Sequence, residues 1–178
     1  HNQGYYLAKN PSFSPKLEAL HTSFPDAKFI YMVRNPLNVV PSYINFLAYG
    51  WHLLGDPLEA YPHCDEILKI IKHWYTYPLA WLDKAPKDSY TIVRFDDLVR
   101  TPEQTVKDIY HHFSLDLTGD YAQILKAEAE RARDYRSKHA YALEEMGLTQ
   151  GQIITEFKEV FDRFGFAHDD DRETLGLI

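Results

Sequence analysis

Cysteine is nearly missing from this chain of 178 residues: Cys64 stands alone. A single thiol forbids an internal disulfide, and it rules out CxxC and Cys/His zinc patterns. Long hydrophobic runs are missing too. No stretch reaches the roughly 18 apolar residues that a membrane-spanning helix needs. Positive charge is in short supply, with 19 Lys and Arg against 26 Asp and Glu for a formal charge of -7. So acidic a surface does not suit wholesale binding to nucleic acid or to an anionic membrane. It still leaves room for a local basic pocket that holds a small anion. There are no internal repeats and no low-complexity segments. No secretory leader follows His1 and no Met precedes it, so the sequence is expected to begin partway through a longer protein.

What is present is apolar and aromatic. Hydrophobic residues make up 45% and aromatics 15% of the chain, enough for one globular domain with a real core. The expected domain runs over residues 1–166, and 167–178 reads as an acidic, frayed tail. The organising stretch is KFIYMVRNPLNVVPSYINF, Lys28 to Phe46. Phe29 to Val33 reads as a buried parallel strand. The strand stops at Arg34-Asn35-Pro36. A helical stripe of Val39, Tyr43 and Leu47 follows, with Val40 and Ile44 beside it. Pro41 is tolerated only in a first turn, so the helix is expected to start near Asn38, with Asn38 as its cap. Strand, short basic turn, helix is the layout that puts a ligand at the carboxyl edge of a parallel sheet.

Other elements follow from period and punctuation. Gly4 to Lys9 reads as a short strand that delivers Lys9 to the Asn10-Pro11-Ser12 turn. Ser14-Pro15 marks a helix start, and Leu17, Leu20 and Phe24 give its spacing. This strand, this helix and the Phe29 strand would form a βαβ unit. Tyr49 to His63, rich in Gly, Pro and aromatics, reads as a loop or broken helix in which Trp51, His52, Tyr61 and His63 are candidates to line an acceptor pocket. Cys64 to Lys84 is a long helical pattern with Pro78 inside. Tyr90 to Phe95 is a second buried strand. Thr101 to Gln104 reads as a capping box with Pro102 at the first helical position. Asp120 to Arg133 and Gln152 to Phe164 are further helices, the last capped by Thr149. Between them, Arg136-Ser137-Lys138-His139 sets three basic side chains and a hydroxyl in a row.

The Arg34-Asn35-Pro36 turn with Ser42 eight residues after the arginine resembles the 3′-phosphate-binding segment of the sulfotransferases, enzymes that use 3′-phosphoadenosine 5′-phosphosulfate (PAPS). A guanidinium fork and a hydroxyl near a helix N-terminus suit a dianionic phosphomonoester. LAKNPSFSPKLEAL and FPDAKFIYMVRNP are similar to the bacterial and carbohydrate-modifying members of the family. YTIVRFDDLVRTPEQTVKDIYHHF and the C-terminal layout resemble it as well, so the likeness covers roughly residues 5 to 166. The resemblance implies a P-loop-NTPase-like three-layer α/β/α fold with a parallel sheet. It also implies roles. Arg34 and Ser42 would hold the 3′-phosphate. Lys9 would stand near the transferred sulfuryl group. Phe95 would lie by the adenine, and Arg136, Ser137 and Lys138 would close over the nucleotide.

Two family features do not match. The Lys-Thr-His of the cytosolic steroid and phenol enzymes is Lys9-Asn10-Pro11 here, without the histidine base. The family's turn for the 5′-phosphosulfate, which carries Gly, Ser or Thr and a basic residue after a first strand, has no counterpart. The expected fold is therefore incomplete. The resemblance implies transfer of a sulfuryl group from PAPS, without a metal, to a hydroxyl or amine on a small-molecule, carbohydrate or peptide acceptor. The alternatives are a non-catalytic binding fragment and a P-loop-related small-molecule kinase. The expected location is the cytoplasm, or the Golgi lumen if an anchor precedes His1.

Overall fold

The computed structural model describes residues 5–54, 61, 63–132 and 143–168. Chain order gives a 3-10 turn over Pro11–Lys16, then α1 (Leu17–Ser23), β1 (Phe29–Val33), α2 (Pro36–Leu53), α3 (Cys64–Leu82), β2 (Tyr90–Arg94), α4 (Phe95–Arg100), α5 (Pro102–His112), α6 (Gly119–Ala132), α7 (Gln150–Glu156) and α8 (Lys158–Phe164). β1 and β2 pair in parallel, with Phe29 opposite Tyr90 and Val33 opposite Arg94. The architecture is α/β with a parallel sheet, as expected. The crossover between the two strands carries α2 and α3, so the βαβ unit lies one element later in the chain than the sequence suggested.

Parallel partners point to the same side of the sheet, so Phe29, Tyr31 and Val33 share a face with Tyr90 and Ile92. That face meets the main core, which gathers Val33, Val40, Ile44, Ile71, Tyr75, Ile153 and Phe157 from β1, α2, α3 and α7 with its boundary. A smaller cluster of Leu17, Leu82 and Tyr90 closes the far end of the sheet. Phe29, Trp81 and His21 meet there edge to face, with centroids 5.5–6.2 Å apart.

Several local expectations are corrected. Tyr5 to Asn10 forms no strand; Tyr5, Tyr6 and Leu7 are 85%, 94% and 84% exposed. Apolar composition makes a strand only where a neighbour takes its backbone bonds, and among the described residues the sheet contains β1 and β2 alone. The first helical turn begins at Pro11 rather than Ser14, because the Asn10 side chain accepts a 2.9 Å bond from the Ser12 amide. α2 begins at Pro36, not Asn38. The Asn35 side chain caps it by accepting the Leu37 amide at 3.0 Å, and Pro36 takes the first position. Pro41 therefore lies inside the helix, where it is buried. The strand expected to reach Phe95 ends at Arg94, and Phe95 opens α4. Thr101 makes no side-chain cap; its hydroxyl donates back to the Asp97 carbonyl at 3.1 Å, as the Thr105 hydroxyl also does. The expected terminal helix is two helices that meet at the buried Phe157, and Thr149 caps the first as anticipated. Of the expected tail over 167–178, residues 169–178 lie outside the described residues; the Ala167 carbonyl, just after the buried Phe166, accepts a bond from Asn35.

Candidate functional site

The site takes shape where β1 and β2 end. Val33 is fully buried, so β1 cannot rotate about its axis, and Arg34 follows it into the turn before α2. The Arg34 guanidinium donates to the Asn38 side chain at 3.3 Å. Its Cζ also lies 4.3 Å from the centroid of the Phe95 ring. Phe95 follows β2 directly, so the ends of the two strands bring together two of the residues singled out by sequence. A guanidinium over an aromatic face is attracted by the ring quadrupole, typically by about 0.5–2 kcal/mol.

Asn38 is 4% exposed and sits one helical turn before Ser42. Residues four apart share a helix face, so Asn38 and Ser42 share a face at the start of α2, and Arg34, in the turn before the helix, reaches Asn38. Ser42 is half-buried. The sequence reading used Asn38 as a cap and missed its contact with Arg34. The spacing of four from Arg34 to Asn38, and of four again to Ser42, was the available signal.

The backbone of the turn is fixed from below. The Tyr75 hydroxyl, on α3, donates to the Arg34 carbonyl at 2.7 Å. The Asn35 side chain donates to the Ala167 carbonyl at 3.1 Å while its oxygen caps α2. Burial pushes the Tyr75 phenol well above its ordinary range, with Tyr31 beside it adding to the shift and Arg34 opposing it. Tyr75 is therefore a neutral donor at neutral pH.

Beside this turn, the other strand end carries Arg94. Its guanidinium donates to the Phe164 carbonyl, pairs with Asp96 at 3.1 Å and lies 4.9 Å from the Phe166 ring centroid. Asp96 is 5% exposed. Arg94 thus serves the C-terminal segment rather than solvent.

Other sequence candidates lie elsewhere. Lys9 is exposed in the irregular segment before Asn10, and it makes no hydrogen bond or ion pair to a described residue. Arg136, Ser137 and Lys138 lie outside the described residues, as do residues 55–60 and 62 of the candidate acceptor loop, whose first residues, Tyr49 to Leu53, continue α2. Of that loop, Tyr61 donates to the Asn45 side chain at 3.4 Å, and His63 stands edge to face with Trp51 at 6.2 Å. His52 is exposed. Among the described residues there is no group of three or more His, Cys, Asp or Glu placed to hold a metal ion. No helix among them is long and apolar enough to cross a membrane.

Comparison with known proteins places the chain in a family. The model of a family described as the sulfotransferase family matches residues 1–119. Omega-hydroxy-beta-dihydromenaquinone-9 sulfotransferase Stf3 of Mycobacterium bovis is 31% identical over 169 residues, which cover 90% of this chain and 41% of the relative. The protein of the same name from Mycobacterium tuberculosis matches to the same extent. The chain thus spans about two fifths of the length of the curated relatives it matches. Among solved structures, sulfotransferase STF9 from Mycobacterium avium superposes with a TM-score of 0.80 at 24% identity, over 92% of this chain and 43% of that one. Sulfotransferase STF1 from Mycobacterium tuberculosis H37Rv superposes with a TM-score of 0.68, again at 24% identity, over 85% and 39%. These likenesses establish the fold.

Proposed function

Because the chain belongs to the sulfotransferase family, we propose that it provides the 3′-phosphate-binding part of an enzyme that moves a sulfuryl group from PAPS to a hydroxyl or amine. The observation that carries this reading is the meeting of Arg34 and Phe95 at the carboxyl edge of two parallel strands. Ligands of open α/β sheets bind at that edge. Arg34 presents donors in a fixed plane, held there by Asn38 and by the ring beneath it. A planar fork of this kind matches a phosphomonoester, and Ser42, on the same helix face as Asn38, adds a hydroxyl donor.

In the proposed reaction the acceptor oxygen or nitrogen attacks sulfur in line with the leaving group, as in the related phosphoryl transfers. The bond between sulfur and the 5′-phosphate oxygen breaks as the new one forms. A base takes the acceptor's proton. The products are a sulfated acceptor and adenosine 3′,5′-bisphosphate, and no metal takes part. Lys9 would neutralise charge near the sulfuryl group. Phe95 would lie by the adenine as well as beneath Arg34, and Arg136, Ser137 and Lys138 would close over the nucleotide. Of the possible acceptors, a hydroxyl on a small molecule is favoured by the name of the two mycobacterial relatives, which describes an omega-hydroxylated substrate. Carbohydrate and peptide hydroxyls remain within the same chemistry. The expected place of action is the cytoplasm.

Titration calorimetry tests the nucleotide grip directly. The chain should bind adenosine 3′,5′-bisphosphate at least about tenfold more tightly than adenosine 5′-monophosphate, since charge-assisted bonds to the extra phosphate are worth about 1.5–3 kcal/mol. Arg34→Ala should erase the preference while the protein stays folded. Equal affinity for the two nucleotides in the wild-type protein would falsify the role given to Arg34.

A further inference from the structure

Tyr75 approaches the Arg34 turn from within the main core. It is 6% exposed, and its ring packs edge to face on Phe157 at 5.6 Å. Its hydroxyl reaches through the core to the Arg34 carbonyl at 2.7 Å. Arg34 follows the last paired position of β1 and precedes the Asn35 cap, whose own carbonyl takes the first helical bonds, from Asn38 and Val39. The Arg34 peptide is thus the hinge between two regular elements and belongs to the bonding pattern of neither. A buried phenol that fixes its carbonyl fixes the rotation of that peptide. The same rotation sets how the Arg34 side chain, carried by the end of β1, is turned relative to α2 and to Asn38 on it.

We propose that Tyr75 is a positioning residue for ligand discrimination: its hydroxyl holds the Arg34 peptide so that the guanidinium presents its fork to the 3′-phosphate. The inference rests on the reading of Arg34 as the 3′-phosphate ligand. It adds that the aim of the fork is set from the core, by a residue that never touches the nucleotide.

A neighbouring tyrosine supplies the control. Tyr31 is also largely buried, and its hydroxyl also donates to a backbone carbonyl, that of Trp74 at 3.2 Å. Tyr31→Phe therefore removes a similar bond from the same core without releasing Arg34. Wild type, Tyr75→Phe, Tyr31→Phe and Arg34→Ala are each titrated with adenosine 3′,5′-bisphosphate and with adenosine 5′-monophosphate. The readout is the ratio of the two affinities. A loss of folded protein lowers both affinities by the same factor and cancels in that ratio, so a purely structural role for Tyr75 leaves the ratio where it was.

Tyr75→Phe is expected to lower the ratio about tenfold relative to wild type, the equivalent of about 1.4 kcal/mol. Tyr31→Phe is expected to leave it unchanged. If Tyr75→Phe keeps the wild-type ratio while Arg34→Ala loses it, the positioning role is wrong and the Arg34 reading stands. If Tyr31→Phe lowers the ratio as far as Tyr75→Phe does, the effect belongs to core softening and the proposal also falls. If the wild type itself shows no preference, both the Arg34 reading and the positioning role are overturned.

Discussion

The two faces of the β1–β2 sheet differ more than their residues do. On one, Phe29, Tyr31 and Val33 stand with Tyr90 and Ile92 against the helices of the core. On the other, Ile30 and Met32 are 42% and 46% exposed, although Val93, their neighbour on β2, is 6% exposed. Alternating apolar residues on both sides of a strand are the mark of a parallel sheet, and β1 carries that mark in full. The comparison teaches which face supports the site. Among the described residues, two bonds that fix the Arg34 turn from below come from the covered side, through Tyr75 of α3 and the Ala167 carbonyl beyond α8.

The contrast can be broken by placing a charge on the covered face. Val33→Asp puts a carboxylate where the side chain is fully buried. Uncompensated burial of that kind is among the few single changes that cost more than about 4 kcal/mol. Thermal unfolding followed by circular dichroism should show the cooperative transition lost or moved far down in temperature.

A smaller effect sharpens the same contrast. Arg163 of α8 and Asp83, just past α3, form a two-bond pair of 2.7 and 2.9 Å that ties these helices together behind the covered face. The hydrogen bonds from Arg163 hold the Asp83 carboxyl below its usual range. A lowered folded-state value means that the stabilisation is present above the carboxylate's unfolded range near 4 and is lost as pH falls through the lowered value. Asp83 is 52% exposed in its side chain, so solvent screening limits the contribution to within about 1 kcal/mol. Asp83→Asn should cost that much or less at pH 7. Denaturant melts should also show wild type and variant converging in strongly acidic buffer.

The smallest effect belongs to the exposed face. Met32→Ser should change the unfolding free energy by no more than about 0.5 kcal/mol. A loss several times larger, measured by the same denaturant melts, would mean that Met32 is covered in solution.

β1 is legible in the sequence as an unbroken apolar run and α3 as a long helical apolar period. The sequence misplaced the start of α2 because Pro41 looked like a first-turn proline. In the structure Asn35 captures the Leu37 amide first and carries the helix start back to Pro36. Tyr5 to Lys9 read as a strand on composition, but strandedness depends on a partner whose position no local pattern encodes. Within the site, Arg34, Ser42 and Phe95 could be named from their spacing and resemblance. Tyr75 could not, because its bond to Arg34 spans 41 positions and leaves no periodic trace. Arg94 reads as part of a strand and Asp96 as a residue just past it, and only the packed C-terminal segment reveals their pairing.

The fastening of Phe164 to Ala167 across the strand ends also bears on the order of events during synthesis. The Asn35–Ala167 bond joins residues 132 positions apart, and the Arg94–Phe164 bond joins residues 70 apart. Closing such long spans carries an entropic cost that nearby contacts do not meet, and contacts of this range form slowly. A nascent chain grows by about 5–20 residues each second. The Arg-Asn-Pro turn therefore leaves the ribosome several seconds before the residues that lock Asn35 in place. Until then β1 and α2 can assemble, but one of the clasps on the turn between them is still open.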